Sequence, residues 1–144
     1  MTKRIVVLGA GPGGYVGAIK AAKMGAEVTL VEKDTVGGTC LNRGCIPTKA
    51  LLASSDVLTN IRQAKDFGII VEGDVKPDIN FIVDRKDKIV ERLVSGIEFL
   101  LNKNNVRLVK GMGKITDKNK VTVTKDDGTT EDIEADAIII ATGS

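Results

Sequence analysis

The sequence predicts an α/β protein: a parallel sheet, long helices and a small antiparallel β-meander. Three observations carry this. Arg4-Ile5-Val6-Val7-Leu8 is a short apolar, β-branched run that leads directly into Gly9-Ala10-Gly11-Pro12-Gly13-Gly14. A helical pattern follows to about Met24 and stops at Gly25, a C-cap residue, before a second strand, Glu27-Val28-Thr29-Leu30-Val31. Near the end, short alternating runs separated by Asp117-Lys118-Asn119 and Asp126-Asp127-Gly128 read as hairpins.

The first β–α–β unit is Rossmann-like. Gly9, Gly11 and Gly14 fit G-x-G-x-x-G. Gly9 permits the tight turn out of the strand, Gly11 lets the backbone approach a pyrophosphate, and Gly14 lets the helix pack on the sheet. The helix N-terminus offers free N–H groups and partial positive charge to phosphates. Glu32 ends the second strand, 18 residues past Gly14, where a carboxylate accepts hydrogen bonds from an adenosine ribose. An acid there does not separate NAD from FAD.

Gly37-Gly38-Thr39-Cys40-Leu41-Asn42-Arg43-Gly44-Cys45-Ile46-Pro47-Thr48-Lys49 holds the only two cysteines, with four residues between them. Residues five apart in a regular helix have Cα atoms roughly 8–9 Å apart, and a disulfide needs less than about 7 Å. Gly37, Gly38 and Gly44 permit unusual dihedrals, and Pro47 disfavours helix at Ile46, so a distortion that brings the sulfurs together is expected. Redox chemistry is one reading; two inert buried thiols is the other. A structural disulfide closing so short a loop would stabilise little. A zinc site has the wrong spacing and no histidine to complete it.

Beyond Pro47 a helix is expected to about Phe67, ended by Gly68, then a connector over 69–77. Asp78 caps a long helix to about Asn104, with Ile82, Ile89, Leu93, Ile97, Leu100 and Leu101 on its core stripe. Val106–Val109 is a strand. The meander follows, with runs near 114–116, 120–124 and 129–133, and Asp136–Ala141 is a last buried parallel strand ending in Thr142-Gly143-Ser144. All 144 residues read as one domain. Because the chain stops where a parallel sheet holds its ligands, a segment of a longer protein, engineered or truncated, is expected. A net charge of +2 without a basic, aromatic-rich stripe argues against nucleic acid. No apolar run is long enough to span a membrane, and no secretory signal is visible, so a cytoplasmic location is expected.

Taken together, Gly9 to Gly14, Val31-Glu32-Lys33, the cysteine stretch through Leu52, Gly111-Met112-Gly113 and Ala141-Thr142-Gly143-Ser144 occur in the order found in the flavoprotein (pyridine nucleotide-disulfide) oxidoreductases. The chain resembles the N-terminal FAD-binding part of that family over essentially its whole length, and its cysteine stretch is most similar to the dihydrolipoyl dehydrogenases. Glutathione and mercuric reductases share the cysteine spacing but differ between and after the cysteines.

The resemblance implies several roles. Gly9, Gly11, Pro12, Gly13 and Gly14 would cradle the FAD pyrophosphate and Glu32 the ribose. Lys33, Gly38, Thr39, Gly113, Ala141, Thr142, Gly143 and Ser144 would line the rest of the site. Cys45 would face the flavin, Cys40 would exchange with the substrate sulfur, and Lys49 would tune the flavin. NAD would be the electron acceptor of the full-length enzyme. The implied partner is dihydrolipoamide on a lipoyl domain of a 2-oxoacid dehydrogenase or glycine cleavage complex, and the implied full-length assembly a homodimer. The family's His–Glu acid–base pair comes from a C-terminal region and the partner subunit; this chain has no histidine, so on its own it is expected to be inactive. The alternatives are a non-catalytic FAD- or ADP-binding module, another disulfide reductase of the glutathione or mercuric reductase type, and a flavin-free thiol–disulfide protein.

Overall fold

The computed structural model describes residues 2–143. In chain order the elements are β1 (Arg4–Leu8), α1 (Pro12–Lys23), β2 (Glu27–Glu32), α2 (Gly38–Arg43), α3 (Cys45–Gln63), a 3₁₀ turn (Ala64–Phe67), α4 (Ile79–Lys103), β3 (Arg107–Lys110), β4 (Met112–Asp117), β5 (Lys120–Thr124), β6 (Thr130–Glu134) and β7 (Ala137–Ile140). Strands β3-β2-β1-β7 form a parallel sheet, and β4-β5-β6 form a separate antiparallel one.

Three layers result, and side-chain alternation decides which residue faces which. From β1 and β2, Val7, Val28 and Leu30 point to the helical layer and pack with Ala18 of α1 and with Ile97 and Leu101 of α4. Val6, Leu8, Val31 and Val109 point the other way, onto Val121, Val123 and Ile133 of the meander. A strand covered on both faces has no polar side to show, which explains the continuous apolar runs.

Local signals account for the helix ends. The Asp78 carboxylate accepts from the Phe81 N–H at 3.0 Å and caps α4. Gly25 and Gly68 follow α1 and the 3₁₀ turn with φ of +90° and +73°, the left-handed conformation that ends helices.

Several expectations are corrected. The helix expected to continue beyond Pro47 begins earlier, at Cys45, so Ile46 is helical. Pro47 occupies the first turn, where a missing N–H costs nothing. The buried stripe of α4 is rotated: Val90, Val94, Ile97 and Leu101 face the core, while Leu93 and Leu100 are 40% and 43% exposed. The final strand is not buried. It lies at the sheet edge, Ile138 packs on the meander, and Ile140 is 67% exposed.

Candidate functional site

The site forms where β1, β2 and β7 end, at the carboxyl edge of the parallel sheet. Gly9 leaves β1 with φ +94°, and a Cβ there would lie 2.3 Å from the Ala141 carbonyl oxygen. Both its conformation and its contact with the end of β7 therefore require glycine. Gly14 performs the packing role, since a Cβ on it would lie 1.8 Å from the Gly9 carbonyl oxygen. Gly13 has open space where a side chain would stand, which leaves the mouth of α1 clear. The Gly14 and Tyr15 N–H groups donate to the Gly11 carbonyl at 2.9 and 3.0 Å. Ahead of them in the helix Pro12 carries no N–H, and the Gly13 N–H has no partner within the helix, which suits an anion.

Gly11 has a second neighbour. Gly38, at φ +60°, comes so close that a Cβ on it would sit 2.7 Å from the Gly11 Cα. The Gly37 N–H donates to the Ala10 carbonyl at 2.8 Å. The glycine loop and the first turn of the cysteine stretch are thus interlocked, backbone against backbone. Asn42 steadies that turn by donating to the Val36 and Gly38 carbonyls at 3.0 and 2.9 Å.

Glu32 joins the loop to β2. One carboxylate oxygen accepts from the Ala10 N–H at 2.7 Å, and the other accepts from the Asp34 N–H at 2.8 Å. A carboxylate has about four lone-pair sites, so capacity remains on both oxygens for a ribose. Asp34 in turn pairs with Arg43 at 2.6 Å. This pairing holds the Asp34 carboxyl below the usual carboxylate range, first through the hydrogen bond from Arg43 and then through its charge.

A cleft of about 530 Å³ opens over these residues, within the size range of cofactor sites. It gathers Gly9, Gly11, Pro12, Gly13, Glu32 and Lys33 from the β1–α1–β2 unit, Gly38, Thr39 and Cys40 from α2, and Ala141, Thr142 and Gly143 after β7. Gly113 instead lines an adjoining recess of about 170 Å³, together with Gly9, Glu32 and Thr142; a Cβ on it would sit 2.6 Å from a Leu8 methyl. Ser144 lies outside the described residues. The motif reading did not single out Asp34, Thr35, Asn42 and Arg43, which also line the cleft. Opposite charges at Asp34, just before the glycine–cysteine run, and Arg43, between its two cysteines, were the available signal.

The cysteines flank a break. α2 ends and α3 begins at Gly44, whose φ and ψ of −126° and −105° are not helical. There is little room beside it: a Cβ on Gly44 would lie 3.2 Å from the Thr39 carbonyl oxygen. The break is the distortion the spacing required, although helix continues on both sides of it. Both cysteines are free thiols here, Cys40 half-buried and Cys45 exposed. The Cys40 thiol is held above the ordinary cysteine range, first by its hydrogen bond to the Cys45 side chain, then by partial burial; Lys49 and the Cys45 backbone N–H oppose this. Cys40 lines the cleft, whereas Cys45 and Lys49 lie beyond its lining.

The glycine loop, the acid-ended second strand and Cys40 line one cleft of a Rossmann-like β–α–β unit, with Cys45 just beyond that lining. The comparisons make this specific. The chain belongs to the pyridine nucleotide-disulphide oxidoreductase family, whose model matches residues 3–144. It is 54% identical over 102 residues to a dihydrolipoyl dehydrogenase of Acholeplasma laidlawii, covering 71% of this chain and 30% of that one. It is 47% identical over 141 residues to the dihydrolipoyl dehydrogenase of Chlamydia trachomatis, covering 96% and 29%. The crystal structure of LpdA from Mycobacterium tuberculosis superposes with a TM-score of 0.85 at 28% identity, over 99% of this chain and 32% of that one. The chain therefore spans about 30% of the length of these curated relatives.

Proposed function

We propose that residues 1–144 are the FAD-binding domain of a dihydrolipoyl dehydrogenase, the part that carries its flavin and its redox-active cysteines. The observation that carries this reading is the shared cleft: Cys40 stands in the same wall as the glycine loop, Glu32 and the turn after β7. The residues fit the cofactor. Gly13 leaves space for a pyrophosphate at the α1 N-terminus, Gly11 lines the cleft beside it, and Glu32 retains acceptor capacity for a ribose. Lys33, Thr39 and Ala141 to Gly143 would border the cofactor, and Gly113 would border it through the adjoining recess; Ser144 is proposed to join them from the resemblance.

FAD, when bound, carries electron pairs between the cysteines and NAD. The chain's own contribution is thiol–disulfide exchange. In the oxidised pair, one thiolate of dihydrolipoamide attacks Cys40 and displaces Cys45 as a thiolate. The second substrate thiolate then attacks the mixed disulfide and releases Cys40, leaving lipoamide oxidised and the pair reduced. Cys45 would be the thiol that exchanges electrons with the flavin, and Lys49, one helical turn further along α3, would tune it. Partners follow from the substrate: a lipoyl domain of a 2-oxoacid dehydrogenase or glycine cleavage complex, with a homodimer for the longer enzyme. Cytoplasmic location suits a thiol pair that must be reducible, and no helix among the described residues is long and apolar enough to cross a membrane.

The test is FAD titration monitored by quenching of flavin fluorescence. Saturable binding that competes with ADP, and is weakened by Gly13→Ala, is expected. Because the chain spans about 30% of its relatives, it is expected to hold FAD weakly and not to reduce NAD with dihydrolipoamide. No FAD or ADP binding even at high concentration refutes the reading.

A further inference from the structure

Asp34 lies outside the motifs and Arg43 sits between the two cysteines, yet the pair joins the two halves of the site. A continuous polar chain runs from the glycine loop to the cysteine break. The Ala10 N–H donates to one oxygen of Glu32 and the Asp34 N–H to the other, at 2.7 and 2.8 Å. The Asp34 carboxylate then accepts from Arg43 at 2.6 Å. Arg43 is the last residue of α2 and immediately precedes Gly44.

The location matters because α2 is only six residues long. A helix so short is not stable by itself. The Gly11–Gly38 contact fixes its first turn, and Asn42 ties its last turn back to the Val36 and Gly38 carbonyls. Arg43, beside Asn42, is the side chain that ties that end outward to Asp34, and Cys45 opens α3 just past it, beyond Gly44. We propose that Asp34 and Arg43 are positioning residues that hold α2 in the register bringing Cys40 against Cys45, and so favour closure of their disulfide. This rests on reading Cys40 and Cys45 as a redox pair.

The pair is solvent-accessible, with side-chain exposures of 46% and 68%, so a modest effect is expected. The experiment equilibrates the chain with reduced and oxidised glutathione and measures the balance: two thiols plus oxidised glutathione give the Cys40–Cys45 disulfide plus two reduced glutathiones. With no other cysteine in the chain, the readout belongs to this pair. Arg43→Gln and Asp34→Asn should each lower the equilibrium constant by about 2- to 5-fold, as loss of one exposed ion pair allows. Asp34→Asn keeps the backbone N–H that donates to Glu32, so it isolates the carboxylate. The double variant should lose no more than either single one, and Arg43→Lys should fall between Arg43→Gln and the unchanged chain. A merely structural role lowers the melting temperature of the dithiol and disulfide forms alike and leaves the constant unmoved. An unchanged or increased constant, or additive losses in the double variant, overturns the proposal. Failure of the unchanged chain to close any disulfide overturns both the proposal and the redox reading beneath it.

Discussion

Gly38→Ala is the sharpest perturbation of the interlock between the glycine loop and the cysteine stretch. Two costs act together. Gly38 has φ +60°, a left-handed conformation that costs a residue with a Cβ about 1–2 kcal/mol. The new Cβ would also stand 2.7 Å from the Gly11 Cα. That neighbour is backbone and cannot swing aside. α2 must therefore retreat by several tenths of an ångström, straining the Gly37-to-Ala10 hydrogen bond. Such a displacement adds about 1–2 kcal/mol, for a total of about 2–4 kcal/mol. For a chain of this length, about 2–4 °C of melting temperature accompanies each kcal/mol, so a fall of about 5–15 °C is expected in thermal unfolding followed by circular dichroism. Gly13→Ala is the control. Nothing lies within 4 Å of its added Cβ, it sits in the first turn of α1, and alanine favours helix, so stability should hold or rise. Gly38→Ala melting with the unchanged chain, or Gly13→Ala losing as much, would refute the interlock.

Three further outcomes follow from the geometry. Glu32→Gln offers one acceptor where two N–H groups point; it should destabilise the ligand-free chain by about 1–3 kcal/mol, seen in urea unfolding and in faster amide exchange at Ala10 or Asp34. Asp34, Asp127, Glu131, Asp132 and Asp136 all titrate below the ordinary range through Arg, Lys, Thr or backbone hydrogen bonds. Their stabilisation is complete above the unfolded carboxylate value of about 4 and is lost as pH falls through it toward the lower folded values. An acid unfolding curve that is flat from about pH 4 downward would contradict this. The raised Cys40 titration gives the opposite sign. Its contribution to the dithiol form is present below the ordinary thiol value of about 8.5 and is lost as pH rises through the higher folded one. Replacing Cys45 with Ala removes the first cause of the shift, so alkylation of Cys40 at neutral pH should accelerate.

Much of this was legible in residues whose requirements are local. β1, β2, the capped start of α4 at Asp78 and the glycine loop follow from β-branching, left-handed glycines and a capping carboxylate, all properties of a few adjacent residues. The rotation of the α4 stripe was not legible. Leu93 and Leu100 are as apolar as Val90 and Val94, and only the position of α1 and the sheet decides which face is covered. β7 reads as a buried strand because Ile138, Ile139 and Ile140 are identical in character; its place at the sheet edge is set by pairing with β1 alone. Within the site, the glycines and Glu32 announce themselves by spacing. Asp34 and Arg43 do not, because an ion pair nine residues apart depends on the path of the chain between them. Gly38 was expected to line the site, but its contact with Gly11 is a fact of tertiary packing.

The central claim is that a flavin in this cleft reports on the cysteine pair beside it. Its direct measurement is the visible spectrum of the FAD-saturated chain during stepwise reduction with a dithiol. The account predicts a long-wavelength shoulder that grows as the pair is reduced, persists in Cys40→Ser and is absent from Cys45→Ser. A flavin spectrum indifferent to the redox state of the thiols in all three proteins would contradict it.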